Sequence, residues 1–186
     1  MKATEELKRE HEGILLVLQV LQVLTKKLTH NERINPRHLD GILEFLSIFV
    51  DKCHHGKEEE FLFPALEASG VPREGGPIGV MLAEHEEGRR IISELSKAVK
   101  DYHTGVKTGA DIMKDRMQRY VELLSRHIEK ENGVLFVMAD AKLDATEDGR
   151  LLEGYERIEK ERIGAGKHEA FHEFLHELGR EYLGRA

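Results

Sequence analysis

The sequence predicts an all-α protein: an up-down-up-down four-helix bundle with an additional C-terminal helical element packed on it. Three observations point there. No segment reads as a strand, long stretches carry apolar residues at three- and four-residue steps, and Pro and Gly cut these stretches into four of similar length with modest connections. The first helix is expected from about Thr4 to Thr29, with Leu7, His11, Ile14, Leu18 and Leu21 on one face. Asn35-Pro36 supplies an N-cap and a first-turn proline for the second, whose stripe is Leu43, Leu46, Val50, His54, Glu58, Phe61 and Ala65; Pro64 should kink it or end it one turn early. Ser69 to Pro77 is a loop. The third helix spans about Ile78 to Tyr102, with Met81, His85, Ile92, Leu95 and Val99 in register. The fourth spans about Ala110 to Lys142 and aligns Met117, Tyr120, Leu124, His127, Glu131, Val134 and Met138. Residues 1–143 then form the bundle and 144–186 the extension. The extension reads as two shorter helices from Glu147 to Ala186, broken near Gly164-Ala165-Gly166, with one apolar stripe that needs a partner surface.

Composition narrows the function. At 186 residues one compact unit with an appendage is expected, and no apolar run approaches the roughly 18 to 20 residues that a membrane-spanning helix needs. The formal charge of −7, without a basic block, argues against nucleic-acid binding. Cys53 is alone, so there is no internal disulfide framework and no Cys-rich zinc site. Next to His54 it reads as a small buried apolar residue. A reducing compartment fits, and Met1 to Glu6 lacks the features of a secretory signal, so the expected location is the cytoplasm. Histidine is in excess: there are 11, as many as all Phe, Tyr and Trp together.

The histidines are arranged in a repeat. Glu10-His11-Glu12 is echoed by Glu84-His85-Glu86, and His54, Glu58, Leu62 and Phe63 by His127, Glu131, Leu135 and Phe136. His11 to His54 is an interval of 43 residues and His85 to His127 one of 42. Each half therefore offers one isolated His and one His-x-x-x-Glu pair, and four residues along an α-helix return to the same face about 6 Å further on. Both pairs lie on apolar stripes, where an unpaired carboxylate is costly to bury. Four imidazoles and two carboxylates are too many for one tetrahedral zinc but suit two ions bridged by the two glutamates. Nitrogen and oxygen donors without thiolate favour iron, with manganese and zinc left open by donor type.

On these residues the chain resembles the hemerythrin-like family, the HHE cation-binding domains. The matching residues are His11, His54 with Glu58 in His54-His55-Gly56-Lys57-Glu58-Glu59-Glu60-Phe61-Leu62-Phe63-Pro64, His85, and His127 with Glu131 in His127-Ile128-Glu129-Lys130-Glu131, across about residues 5 to 140. The resemblance implies a four-helix bundle with metal ligands His11, His54, Glu58, His85, His127 and Glu131. It further implies two iron ions (Fe2+/Fe3+), bridged by the glutamates and an oxo or hydroxo group. A small diatomic or peroxide ligand follows, in oxygen or redox sensing, detoxification, or iron handling and repair. A metal-stabilised regulatory or storage module without catalysis is the alternative.

Respiratory hemerythrins carry His-x-x-x-His on the third helix, whereas Arg89 stands four residues beyond His85 here, which argues against a simple oxygen carrier. Two replacements for the missing histidine are open. His55, about 100° around the helix from His54, is either a further ligand or a neighbour of the site. His168, in the row His168, His172 and His176, either reaches the metal centre or flanks a docking helix. His30, His38, His103 and His176 read as loop or surface residues, and Tyr120 as core packing.

Overall fold

The computed structural model describes residues 1–106, 108–164 and 166–185, which are all-helical apart from turns and loops. Lys107 lies outside the described residues, as do Ala165, at the predicted break in the extension, and Ala186, its predicted end. Helix α1 is Lys2–Thr29. The Asn35 side chain caps α2 (Pro36–Glu44) by accepting the Arg37 N–H at 3.0 Å, with Pro36 in the first turn, where its missing N–H has no intrahelical role. The helix then runs on through π-helical segments Phe45–His55 and Glu58–Leu62 into α3 (Phe63–Ala68). Next come α4 (Pro77–His103) and α5 (Gly109–Lys130), which continues through a π-helical segment, Glu131–Leu135, into α6 (Phe136–Lys142). The Asp144 side chain caps α7 (Ala145–Ile158), which leads through the π-helical segment Glu159–Ile163 to α8 (Lys167–Leu183).

The π-helical segments alter two expectations. Pro64 does not end its helix, because the π turn closes at Leu62 and leaves Pro64 in the first turn of α3. A π turn also holds an extra residue and shifts the buried stripe by one position. The stripes are centred on Leu62 and Leu66, with Phe61 and Ala65 partly buried beside them, and on Leu135 and Ala139, with Met138 partly buried beside them; Val134 is 47% exposed.

α1 packs on α5 and α8, α4 packs on α5, and Phe45–His55 lies against both α4 and Glu159–Ile163. The buried apolar residues form two clusters. One contains Ile14, Val50, Ile91 and Leu124 and is joined by Phe171 and Leu178 of α8; the other contains Leu7, Leu62, Met81 and Leu135 and is joined by Leu151 and Tyr155 of α7. Each cluster secures its helices through side chains whose full burial stabilises by roughly 1.5–3 kcal/mol apiece. His11, His54, His85 and His127 fall between the two clusters along their helices, so the apolar layers enclose a polar one. His38 corrects its surface assignment. It is 4% exposed because α8 lies over the start of α2, where Tyr182 Oη and Glu177 meet its ring nitrogens at 2.7 and 3.2 Å.

Candidate metal centre

The six residues of the sequence repeat are brought together, and all are buried. His11 Nε2 and His54 Nε2 stand 3.0 Å apart, and His85 Nε2 and His127 Nε2 stand 3.1 Å apart. Two nitrogens each about 2.1 Å from one ion, at a right angle, stand about 3.0 Å apart, so both pairs have the spacing of shared ligands. The carboxylates connect the pairs. Glu58 reaches His54 Nε2 at 3.7 Å and His85 Nε2 at 3.4 Å, and Glu131 reaches His127 Nε2 at 3.1 Å and His11 Nε2 at 3.3 Å. Each glutamate thus faces one ring from its own half and one from the other.

Two four-residue groups place one ligand atom from each residue within 4.8 Å of all the others: His11, His54, Glu58 and Glu131, and His55, Glu58, His85 and His127. Glu58 is common to both. All four oxygens of Glu58 and Glu131 are buried without a hydrogen-bond partner. Buried carboxylates in this condition are costly, and a cation among N and O donors satisfies them; the residues present fit a metal site.

An outer ring of acceptors holds the four imidazoles, and it repeats as well. His54 Nδ1–H donates to Glu10 at 2.7 Å, His127 Nδ1–H to Glu84 at 3.0 Å, His85 Nδ1–H to Glu59 at 2.7 Å, and His11 Nδ1–H to the Asn132 side-chain oxygen at 3.0 Å. With Nδ1–H directed outward, each neutral ring turns its Nε2 lone pair inward. Lys57 and Lys130 then bind Glu10 and Glu84 from behind. The ring lies outside the His and Glu repeat that marks the donors, yet the sequence carries its signal: Glu precedes the first His of each half, and Lys follows the second by three.

The electrostatics follow from burial and neighbours. Burial disfavours the charged imidazolium of His127, but the Glu131 carboxylate overrides it and lifts the pKa to about 10. His54 and His85 are raised in the same way, by Glu58 with Glu10 and by Glu58 with Glu59, against burial. For His55, burial together with the other rings pushes the pKa well below its ordinary value. Burial acts to raise Glu10, yet His54 and Lys57 hold it down to about 2. Cys53 is pushed up to about 12, chiefly by burial, and is a thiol inside the core.

Arg89 occupies the place of the absent histidine and donates to Asp51 and Glu59 at 2.7 Å each, so it supports the carboxylate that holds His85. His168 belongs to neither four-residue group. It packs on Phe49 at 5.9 Å between ring centroids and lines a cavity of about 690 Å³ with Phe171 and Leu175, while His172 and His176 are exposed.

A helical frame that buries two His and Glu half-sites face to face defines a metal-binding helical protein. The sequence model of the hemerythrin HHE cation-binding domain matches residues 2–139, and the chain belongs to that family. It is 23% identical over 162 residues to an uncharacterized protein of Mycobacterium tuberculosis (strain H37Rv), covering 87% of this chain and 63% of the relative. It is 28% identical over 125 residues to the iron-sulfur cluster repair protein YtfE of Salmonella typhimurium, covering 64% of this chain and 56% of that protein. A second iron-sulfur cluster repair protein YtfE, from Enterobacter sp. (strain 638), is 29% identical over 129 residues, with the same coverage of 64% and 56%. The matches thus span less than two thirds of these relatives' length. No solved structure matches the chain significantly. No helix among the described residues is long and apolar enough to cross a membrane.

Proposed function

We propose that the chain holds a dinuclear non-haem iron centre with His11, His54, His85 and His127 as donors and Glu58 and Glu131 as bridging carboxylates. The centre binds or reacts with a small ligand such as oxygen, nitric oxide or peroxide, in sensing, detoxification or iron handling. The carrying observation is the placement of two buried, unpartnered carboxylates, each facing imidazoles of both halves. When bound, the iron pair supplies Lewis acidity and one-electron redox change. The chain's residues do the rest. Glu10, Glu84, Glu59 and Asn132 fix ring tautomer and orientation, and the two apolar clusters keep bulk water from the polar layer. The two YtfE relatives are described as iron-sulfur cluster repair proteins, which favours iron handling within this range.

The frame of the centre is an up-down-up-down bundle of residues 1–143, with 144–186 as an extension docked on it. Support comes from the order in which the helices meet the two clusters. Leu7 precedes His11 and Ile14 follows it, Val50 precedes His54 and Leu62 follows, and the third and fourth helices repeat the reversal. The buried thiol of Cys53 suits a reducing cytoplasm.

Metal analysis of the aerobically purified protein, with its ultraviolet-visible spectrum, is expected to give two irons per chain and a charge-transfer band. Anaerobic reduction followed by titration with oxygen, nitric oxide and peroxide then identifies the ligand. A reduced iron protein inert to all three overturns the reactive centre and leaves the regulatory or storage module. One contact favours that second reading: Glu159 of the extension accepts from Lys57 at 2.6 Å, and Lys57 holds the Glu10 that holds His54.

A further inference from the structure

We infer that His55 is a fifth imidazole donor, so that the two ions are held unequally: one by His11 and His54, the other by His55, His85 and His127. The inference rests on the dinuclear reading above.

His55 is 4% exposed, and neither ring nitrogen has a hydrogen-bond partner. A buried imidazole with two unsatisfied nitrogens is rare because each forfeits a bond to water without replacement. One of its nitrogens lies within 4.8 Å of ligand atoms of Glu58, His85 and His127, and its ring stacks on that of His85 at 3.8 Å and 17°. The other four rings of the site share one pattern, Nδ1 toward an outer acceptor and Nε2 inward. His55 approaches it, with Nδ1 3.7 Å from Asp51 Oδ1, one turn back on the same helix. Asp51 is itself fixed by Arg89 at 2.7 Å, so the arginine that takes the place of a ligand secures the carboxylate that faces this one.

Local backbone helps to bring two adjacent histidines to one site. His54 and His55 close the 11-residue π-helical segment Phe45–His55, whose wider turn sets consecutive side chains at a smaller angle than the 100° of an α-helix. The repeat supplies a control: Ile128 stands at the corresponding place after His127 and belongs to the apolar core. His55 also lines a cavity of about 400 Å³ together with Gly88, Arg89 and Tyr120, wide enough for a free imidazole.

The test loads wild-type, His55→Ala and His55→Gln chains with Fe(II) anaerobically, passes them over a chelator column, and measures retained iron, circular dichroism and X-ray absorption. Wild type is expected to keep two irons and both variants one, with helicity retained in His55→Gln and the second iron bound at least about tenfold more weakly. The absorption spectrum should show fewer imidazoles per chain, and added imidazole should restore the second iron to His55→Ala. Two irons in His55→Gln at wild-type affinity, with an unchanged imidazole count, overturn the inference alone. Wild type that keeps fewer than two irons overturns the dinuclear reading, and the inference with it.

Discussion

The two halves of the site share their inward His and Glu side chains and their outer acceptors but differ in what stands behind them. In the first half Lys57 is fully buried and donates to Glu6, Glu10 and Glu159 at 2.8, 2.6 and 2.6 Å. In the second half the corresponding lysine, Lys130, is 39% exposed and meets Glu84 alone. Val80 stands where the first half has Glu6, and it is 47% exposed. The C-terminal helices account for the difference. α7 and Glu159–Ile163 cover the first half, placing Gly154 against the Phe61 ring and Arg162 against Glu60 and the Lys52 carbonyl. In the second half Val134, at the place of Phe61, is as exposed as Val80. The same constellation of His and Glu side chains therefore sits in one enclosed and one open setting.

The largest expected break in this comparison is at the lysines. Lys57→Met removes the buried ammonium shared by Glu6, Glu10 and Glu159 and should cost about 3–5 kcal/mol in urea unfolding. Lys130→Met removes a half-exposed pair and should cost less than about 1 kcal/mol. Equal losses would show that the extension does not set the difference.

The outer carboxylates come next. Glu10→Gln and Glu84→Gln should each weaken iron binding about 10- to 100-fold, read by competition with a chelator. The loss is expected to be greater at Glu10, which is 8% exposed against 21% for Glu84.

Glycines sharpen the packing side. A Cβ at Gly154 runs into the Phe61 ring, so Gly154→Ala should lower stability by about 1–3 kcal/mol. Gly133, in the open half, has nothing within 4 Å, and Gly133→Ala should raise the unfolding midpoint by the equivalent of up to about 1 kcal/mol. The smallest effect concerns local opening: with metal stripped, amides near His127 should exchange faster than those near His54. The reverse order would mean that the extension does not protect the half it covers.

Much of this was legible in the chain. The helical periods and the cap at Asn35 are local patterns, which periodicity reports well, and the repeat of His11, His54 and Glu58 in His85, His127 and Glu131 is a linear pattern of matching intervals. The π-helical segments were not legible, because a hydrophobic stripe read at 3.6 residues per turn does not reveal one extra residue. Val134, read as part of a buried stripe, is therefore exposed, and Phe61 lies at the margin of its stripe, partly buried against the core. His38 was misplaced for another reason: its partners, Glu177 and Tyr182, lie some 140 positions away, and nothing near residue 38 announces them.

By itself the sequence determined that the chain is helical, that it carries two matching sets of His and Glu donors, and that these donors lie on apolar faces. Helical period and the four-residue His-to-Glu step are fixed within a few turns of one helix, and composition and repeats are read along the chain, so none of them needs a contact between helices. Only the tertiary structure decided which nitrogens face which carboxylates, that His55 lies inside the cluster and His168 outside it, and that the extension encloses one half and leaves the other open. Those facts depend on contacts between helices far apart in the chain, and the energy of a buried charge is set by everything around it.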